Sequence, residues 1–238
     1  MMPHRRSDST EAPLRAGHRL AAAIRSPASH WPARVTRAIA RGRIALALQP
    51  VVLAGAPERI AFHEALVRLI DDGGQVICAA AFIDEVEPSA AGRLLDRAAL
   101  RLAVAELAAT PDLRLAVNLS PLSIGDREWS AILTAAVARH PTLAERLIVE
   151  ITERGLGADP AAMHAFLDHW RAQGVAFALD DFGAGSTAYR QLRDFRFDIV
   201  KLDGSFSRAV HRDPDQQAFL RTLVPLARHF EAMTVAEA

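Results

Sequence analysis

The sequence predicts an α/β fold of the (β/α)-barrel type, and three observations carry that prediction. Apolar, β-branched-rich runs of strand length alternate with stretches of helical period, the pattern of parallel βα units. The chain of 238 residues is 50% hydrophobic, enough for one large core. Polar residues recur at the carboxyl ends of successive runs, where barrels of this kind carry their sites.

The elements follow in order. Residues 1–43 hold nine arginines against only Asp8 and Glu11. They read as an Arg-rich mobile arm over residues 1–35 with a short helix around 33–41, ahead of a barrel domain over 36–238. Strand-like runs then occur at 44–53, 60–68, 113–119, 146–152, 175–181, 198–203 and 233–237. Between the first two lies only "AGAPER", too short for a crossover helix, so that pair is expected to be antiparallel. Residues 89–109 show a 3.6-residue apolar period in good helix formers. Helices are also expected over 159–174, opened by Asp159 and Pro160, and over 213–232, where Pro225 should introduce a kink. Seven strands are countable where a closed barrel has eight, so this stretch of chain is expected to lack the last βα unit.

Composition excludes several classes. Twenty-eight basic and 28 acidic residues give a formal net charge of zero, against a general binder of nucleic acid polymers. Cys78 is the single cysteine, which rules out an intrachain disulfide or a multi-cysteine metal site and fits a reducing, cytoplasmic setting. The longest apolar runs, such as "AILTAAVA" at 131–138, fall well short of the roughly 18 residues a membrane helix needs.

The strand ends carry the chemistry. They hold Glu64, Asn118, Glu150, Asp180 with Asp181, Lys201 and Glu237. Lys201 is the chain's only lysine among 28 basic residues. One acid at a strand end is ordinarily a cap or a solvated loop residue, and Asp203 alone reads that way. Five carboxylates at one barrel mouth repel strongly unless cations neutralise them. Oxygen ligands with one amide, and no His or Cys, select a hard ion, Mg²⁺ or Mn²⁺. Two adjacent aspartates could let one bridge two metals, and a two-metal site suits phosphoryl transfer.

These residues also carry a family resemblance. "EALVR" at 64–68 resembles the ExLxR signature of EAL domains, the bacterial cyclic di-GMP phosphodiesterases. "LQPVV" (48–52), "VNLSP" (117–121), "EITE" (150–153), "DDFGAG" (180–185), "KLD" (201–203) and "VAEA" (235–238) follow in the family's order. The resemblance implies a modified TIM barrel with an antiparallel first strand, hydrolysing cyclic di-GMP to linear pGpG with two Mg²⁺ or Mn²⁺ ions. It implies that Glu64, Asn118, Glu150 and Asp180 hold the first metal. Asp180 would bridge to a second, completed by Asp181 and Glu237. Lys201 would sit beside the attacking water, and Glu153 would brace the loop after Asp181. Gln49, Arg68 and Asp203 would contact substrate. A homodimer is implied as well.

Two stretches depart from the family pattern. Ser186, Thr187 and Ala188 stand where an aromatic followed by serines is usual, and "VAEA" ends on alanine in place of glycine. A catalytically impaired domain that binds cyclic di-GMP as a receptor, or a scaffold acting through protein contacts, are the alternative readings. Trp31, Trp129 and Trp170 read as packing residues, "GDRE" at 125–128 as an ordinary loop, and Asp71–Asp72 as a turn.

Overall fold

The computed structural model describes residues 31–157, 159–183 and 188–237. The Arg-rich arm over its first 30 residues, loop positions 184–187 and Ala238 lie outside the described residues. Seven α-helices and eight strands follow in chain order among the described residues, with short 3-10 turns between some of them. Helix α1 (Trp31–Ala40) leads into a long hairpin, β1 (Ile44–Leu53) and β2 (Ala56–Ile70). A three-residue β3 (Val76–Cys78), a single turn α2 (Ile83–Val86) and the long α3 (Ala90–Ala109) come next. Then β4 (Leu115–Asn118), α4 (Arg127–Arg139), β5 (Leu147–Thr152), α5 (Pro160–Arg171), β6 (Ala176–Phe182), α6 (Ala188–Phe195), β7 (Ile199–Leu202), α7 (Pro214–His229) and β8 (Met233–Ala236) alternate regularly.

The eight strands form one curled sheet in the order β1-β2-β4-β5-β6-β7-β8, with β3 paired to the far end of β2. β1 and β2 are antiparallel, as the short connection requires, and every pairing from β2–β4 to β7–β8 is parallel. The α/β class and the antiparallel first strand are as expected for a modified TIM barrel, and the sheet curls into a half-barrel. Three local expectations need correcting. The connection between the first strands is shorter than "AGAPER", because Ala56–Arg59 already belong to β2 and only Ala54–Gly55 form the turn. The segment "GDRE" is a helix start, with Asp126 accepting from the Glu128 and Trp129 amides. The strands number eight, not seven, because the three-residue β3 adds to the far end of β2.

Side-chain alternation along the strands sorts the core into layers. Leu115, Val117, Val149, Ile151, Phe177, Leu179, Val200 and Leu202 point outward into one cluster with residues of the surrounding helices, among them Leu100, Leu133, Leu167, Leu192 and Leu223. Trp129 and Trp170 meet edge-to-face in that layer, with ring centroids 5.9 Å apart. Phe62, Ala116, Ile148, Ala178 and Ile199 point inward and form an apolar floor with Val51 and Val235 packed against it. A third cluster joins Val35 and Ala38 of α1 to Leu69, Phe82, Val86 and Leu95. Trp31 joins it by packing on Phe82 at 5.6 Å. The turn after β2 is closed by Asp71, whose carboxylate accepts from the amides of Gly73 and Gln75.

Candidate metal and phosphodiester site

The inward floor dictates where the polar residues stand. Two residues beyond each floor residue, on the same face and one pleat nearer the carboxyl end, lie Glu64, Asn118, Glu150, Asp180, Lys201 and Glu237. Six strands therefore each contribute one polar side chain to a single layer. Strand β1 runs the other way, and Gln49 is the residue paired across from Glu64.

Strict alternation would turn Asp181 away from this layer, since it follows Asp180 directly. The backbone resolves the conflict. Asp181 has φ +56°, in the left-handed region that aspartate tolerates better than most residues, and the β6–β7 register shifts between Leu179 and Phe182. As a result one carboxylate oxygen each of Asp180, Asp181 and Glu237 lies within 4.8 Å of the others. A second group, Glu64, Glu150 and Asp180, meets the same limit, so Asp180 belongs to both.

Lys201 stands in the middle. Its Nζ lies 3.0 Å from Glu237 Oε1, 3.1 Å from Glu150 Oε2, 3.1 Å from Asp180 Oδ1 and 3.4 Å from Glu64 Oε1. Only 1% of Lys201 and of Glu150 is exposed. Burial disfavours the ammonium, but the carboxylates of Glu150, Asp180, Glu64 and Glu237 outweigh it and hold the lysine charged, its pKa raised. Burial drives Glu150 up to about 8, against the attraction of Lys201 and with help from the charges of Glu64 and Asp180. Burial likewise raises Glu237. One ammonium does not neutralise this many acids, and the excess charge calls for protons or metal ions.

The donor set fits hard divalent ions. Glu150 Oε1 is buried with no hydrogen-bond partner among the described residues, an orphan acceptor that a cation would satisfy. Asn118 donates from Nδ2 to Glu64 Oε1 at 3.4 Å, which leaves its amide oxygen for ligation. Oxygen-only donors of this kind suit Mg²⁺ or Mn²⁺ geometry.

The remaining expected residues are placed around this cluster. Glu153 is 4% exposed, and its Oε2 accepts from the Gly183 amide at 3.3 Å, just after Asp181. Gln49 is exposed at the rim. Arg68 donates to its neighbour's carbonyl, Val67 O, at 3.0 Å. Asp203 accepts from the Ser205 amide at 2.7 Å and caps the turn over Gly204–Phe206, as the plain reading of a lone strand-end acid expects. The described contacts bring neither Arg68 nor Asp203 into the carboxylate cluster. Two supporting residues escaped the sequence reading. Gln191 donates to the Glu153 carbonyl at 3.1 Å, and Asp96 accepts from Ser120 and Ser123 in the loop after Asn118. Asp96 was visible in principle, because it shares a helical stripe with the apolar Ala99, Leu100, Ala103 and Leu107.

With this geometry in view, comparison with known proteins is decisive at the level of family. The EAL domain matches residues 33–238. The chain belongs to the EAL domain family. An uncharacterized signaling protein of Caulobacter vibrioides is 34% identical over 84% of this chain and 25% of its own length. A cyclic di-GMP phosphodiesterase of Pseudomonas aeruginosa is 34% identical over 73% of this chain and 30% of its own. The chain thus spans about a quarter of the length of such relatives. Among solved structures, the phosphodiesterase PaMucR in complex with c-di-GMP superposes with a TM-score of 0.76 at 26% identity, over 87% of this chain and 85% of that one. The FimX EAL domain of Pseudomonas aeruginosa, bound to c-di-GMP, shares the fold with a TM-score of 0.77 at 20% identity, over 86% and 83% of the two chains. No helix among the described residues of this EAL domain is long and apolar enough to cross a membrane.

Proposed function

We propose that this EAL domain hydrolyses one phosphodiester of cyclic di-GMP to give linear pGpG, using two Mg²⁺ or Mn²⁺ ions. The observation that carries the reading is the pair of carboxylate groups that share Asp180 around a buried Lys201. Relatives named as cyclic di-GMP phosphodiesterases support the substrate.

In this reading Glu64, Asn118, Glu150 and Asp180 would hold one ion, and Asp180, Asp181 and Glu237 would hold the other. When bound, the ions supply Lewis-acid charge at the attacking and leaving oxygens. Lys201 orients the attacking water by hydrogen bonding and offsets charge growing on the phosphoryl oxygens. The water oxygen adds to phosphorus as the bond to the 3′ oxygen breaks, and the proton that the water sheds ends on the departing 3′ oxygen, so one water is divided between the new phosphate and the new hydroxyl. Gln49, Arg68 and Asp203 bind the nucleotide at the rim. Glu153 keeps the backbone after Asp181 in place through Gly183. The family's homodimer belongs to the same proposal, and sedimentation velocity would register it.

The experiment is product analysis by chromatography after incubating the purified protein with cyclic di-GMP and Mn²⁺. Appearance of pGpG supports the reading. Tight binding with the nucleotide recovered intact would make the domain a receptor, and neither binding nor turnover would leave a scaffold acting through protein contacts.

A further inference from the structure

The loop that follows Asn118 is held at both ends by two neighbouring residues of α3. Asp96 Oδ2 accepts from the Ser120 amide at 3.0 Å and from the Ser123 hydroxyl at 2.6 Å. Both serines are buried, at 5% and 1% exposure, and their hydroxyls lie 3.3 Å apart. Arg97 grips the far end. Its guanidinium makes a two-pronged contact with Asp126, at 3.0 and 2.6 Å, and reaches Glu128 at 2.7 Å. A carboxylate is an expensive occupant of a buried helix stripe, so its two bonds to one loop need a reason.

The reason lies in what the loop touches. Asn118 is two residues before Ser120, on the strand end paired with Glu150. Pro121, the next residue after Ser120, abuts Gly155 so closely that a Cβ there would stand 2.5 Å from Pro121 Cγ. Gly155 belongs to the turn Glu153–Gly157, and Glu153 in turn holds the Gly183 amide beside Asp181. One continuous set of contacts therefore runs from Asp96 to both sides of the carboxylate cluster.

We propose that Asp96 is a positioning residue for the metal site. It fixes the loop 119–123 so that the Asn118 amide faces Glu64, and through Pro121 it buttresses the turn carrying Glu153. Both bonds fall on one oxygen, Oδ2, so an amide oxygen in the same place can accept them in its stead. This inference rests on the metal-site reading above, but not on turnover.

The test is a Mn²⁺ titration of the purified full chain, followed by calorimetry or by the free-Mn²⁺ electron spin resonance signal. Asp96→Ala is expected to weaken Mn²⁺ binding about tenfold or more, the usual effect of losing a partner behind a ligand, while Asp96→Asn stays close to wild type. Leu107→Ala, on the same helix stripe but away from the loop, serves as the stability control and is expected to lower the melting temperature without changing Mn²⁺ affinity. Unchanged affinity in a folded Asp96→Ala protein overturns the inference, as does an equal loss in Leu107→Ala. If Asp96→Ala does not fold, Ser123→Ala is expected to shift the titration in the same direction, and no shift overturns the inference. A wild-type protein that binds Mn²⁺ but leaves cyclic di-GMP intact sinks the proposed hydrolysis and leaves the Asp96 result readable.

Discussion

Replacing Lys201 removes the ammonium from a ring of four carboxylates whose oxygens stand 3.0–3.4 Å from its nitrogen. Deleting one partner of a buried ion pair costs about 3–5 kcal/mol when the other charge is left stranded. Here Glu150 can shed part of that cost by keeping a proton, because burial has already lifted it to about 8. Metal-free Lys201→Met at neutral pH is therefore expected to lose roughly 2–3 kcal/mol, which for a domain of this size is a fall in melting temperature of roughly 4–12 °C. Added Mn²⁺ should recover more of the loss in the variant than it adds to wild type, since the ions would supply the missing positive charge. Lys201→Arg separates charge from shape. A planar fork of five donors replaces a point charge where four oxygens converge, so charge is kept while the geometry is lost. That variant should stay folded yet lose about 10²–10³-fold in turnover, the range seen when a donor to developing charge is removed. Thermal melts with and without Mn²⁺, together with pGpG formation by chromatography, read both effects. Wild-type turnover in Lys201→Arg, or an unchanged melt in Lys201→Met, would refute this account of the lysine.

Other outcomes follow from the same geometry. Glu150 must give up its proton to ligate a metal, so Mn²⁺ affinity should rise with pH up to about 8 and level off above it, as calorimetry in a series of buffers would show. Because its folded value lies above the ordinary 4.5, its contribution to stability is complete below that value and lost as pH climbs through about 8. The metal-free protein should thus melt at lower temperature on the alkaline side of that window. Burial would raise Asp126, but the Arg97 contact and the Trp129 and Glu128 amides hold it below its ordinary value. Its stabilisation is present above the unfolded value of 3.8 and fades as pH falls through the lowered one. The melting difference between wild type and Arg97→Ala should accordingly shrink as the pH is taken down below 3.8. Trp129→Ala, which empties a position 1% exposed between Phe166 and Trp170, should cost about 3–5 kcal/mol in a denaturant titration.

Much of the fold was legible because strand and helix periods announce themselves in the sequence. The inward layer could be read as well, since a two-residue step from Ile148 to Glu150 or from Ile199 to Lys201 fixes which side chains share a face. What escaped depends on contacts between distant segments. β3 is three residues long, and its pairing with Arg68–Ile70 leaves no period to detect. The extension of β2 back to Ala56 includes Pro57, a residue that argues against a strand unless it lies at an edge. Adjacent aspartates on one face contradict strand alternation, and only the left-handed backbone at Asp181 reconciles them. Asp96 is a lone acid in an apolar stripe, and only its bonds to Ser120 and Ser123, distant in sequence, give it a role.

The most direct test of the account is hydrolysis in ¹⁸O-labelled water with Mn²⁺ present, the nucleotides being separated and weighed by mass spectrometry. The expected product is pGpG carrying one labelled oxygen on its 5′-phosphate, and Glu150→Ala should abolish it. Unlabelled product, or cyclic di-GMP recovered whole from a protein that has bound both metal and nucleotide, would contradict it.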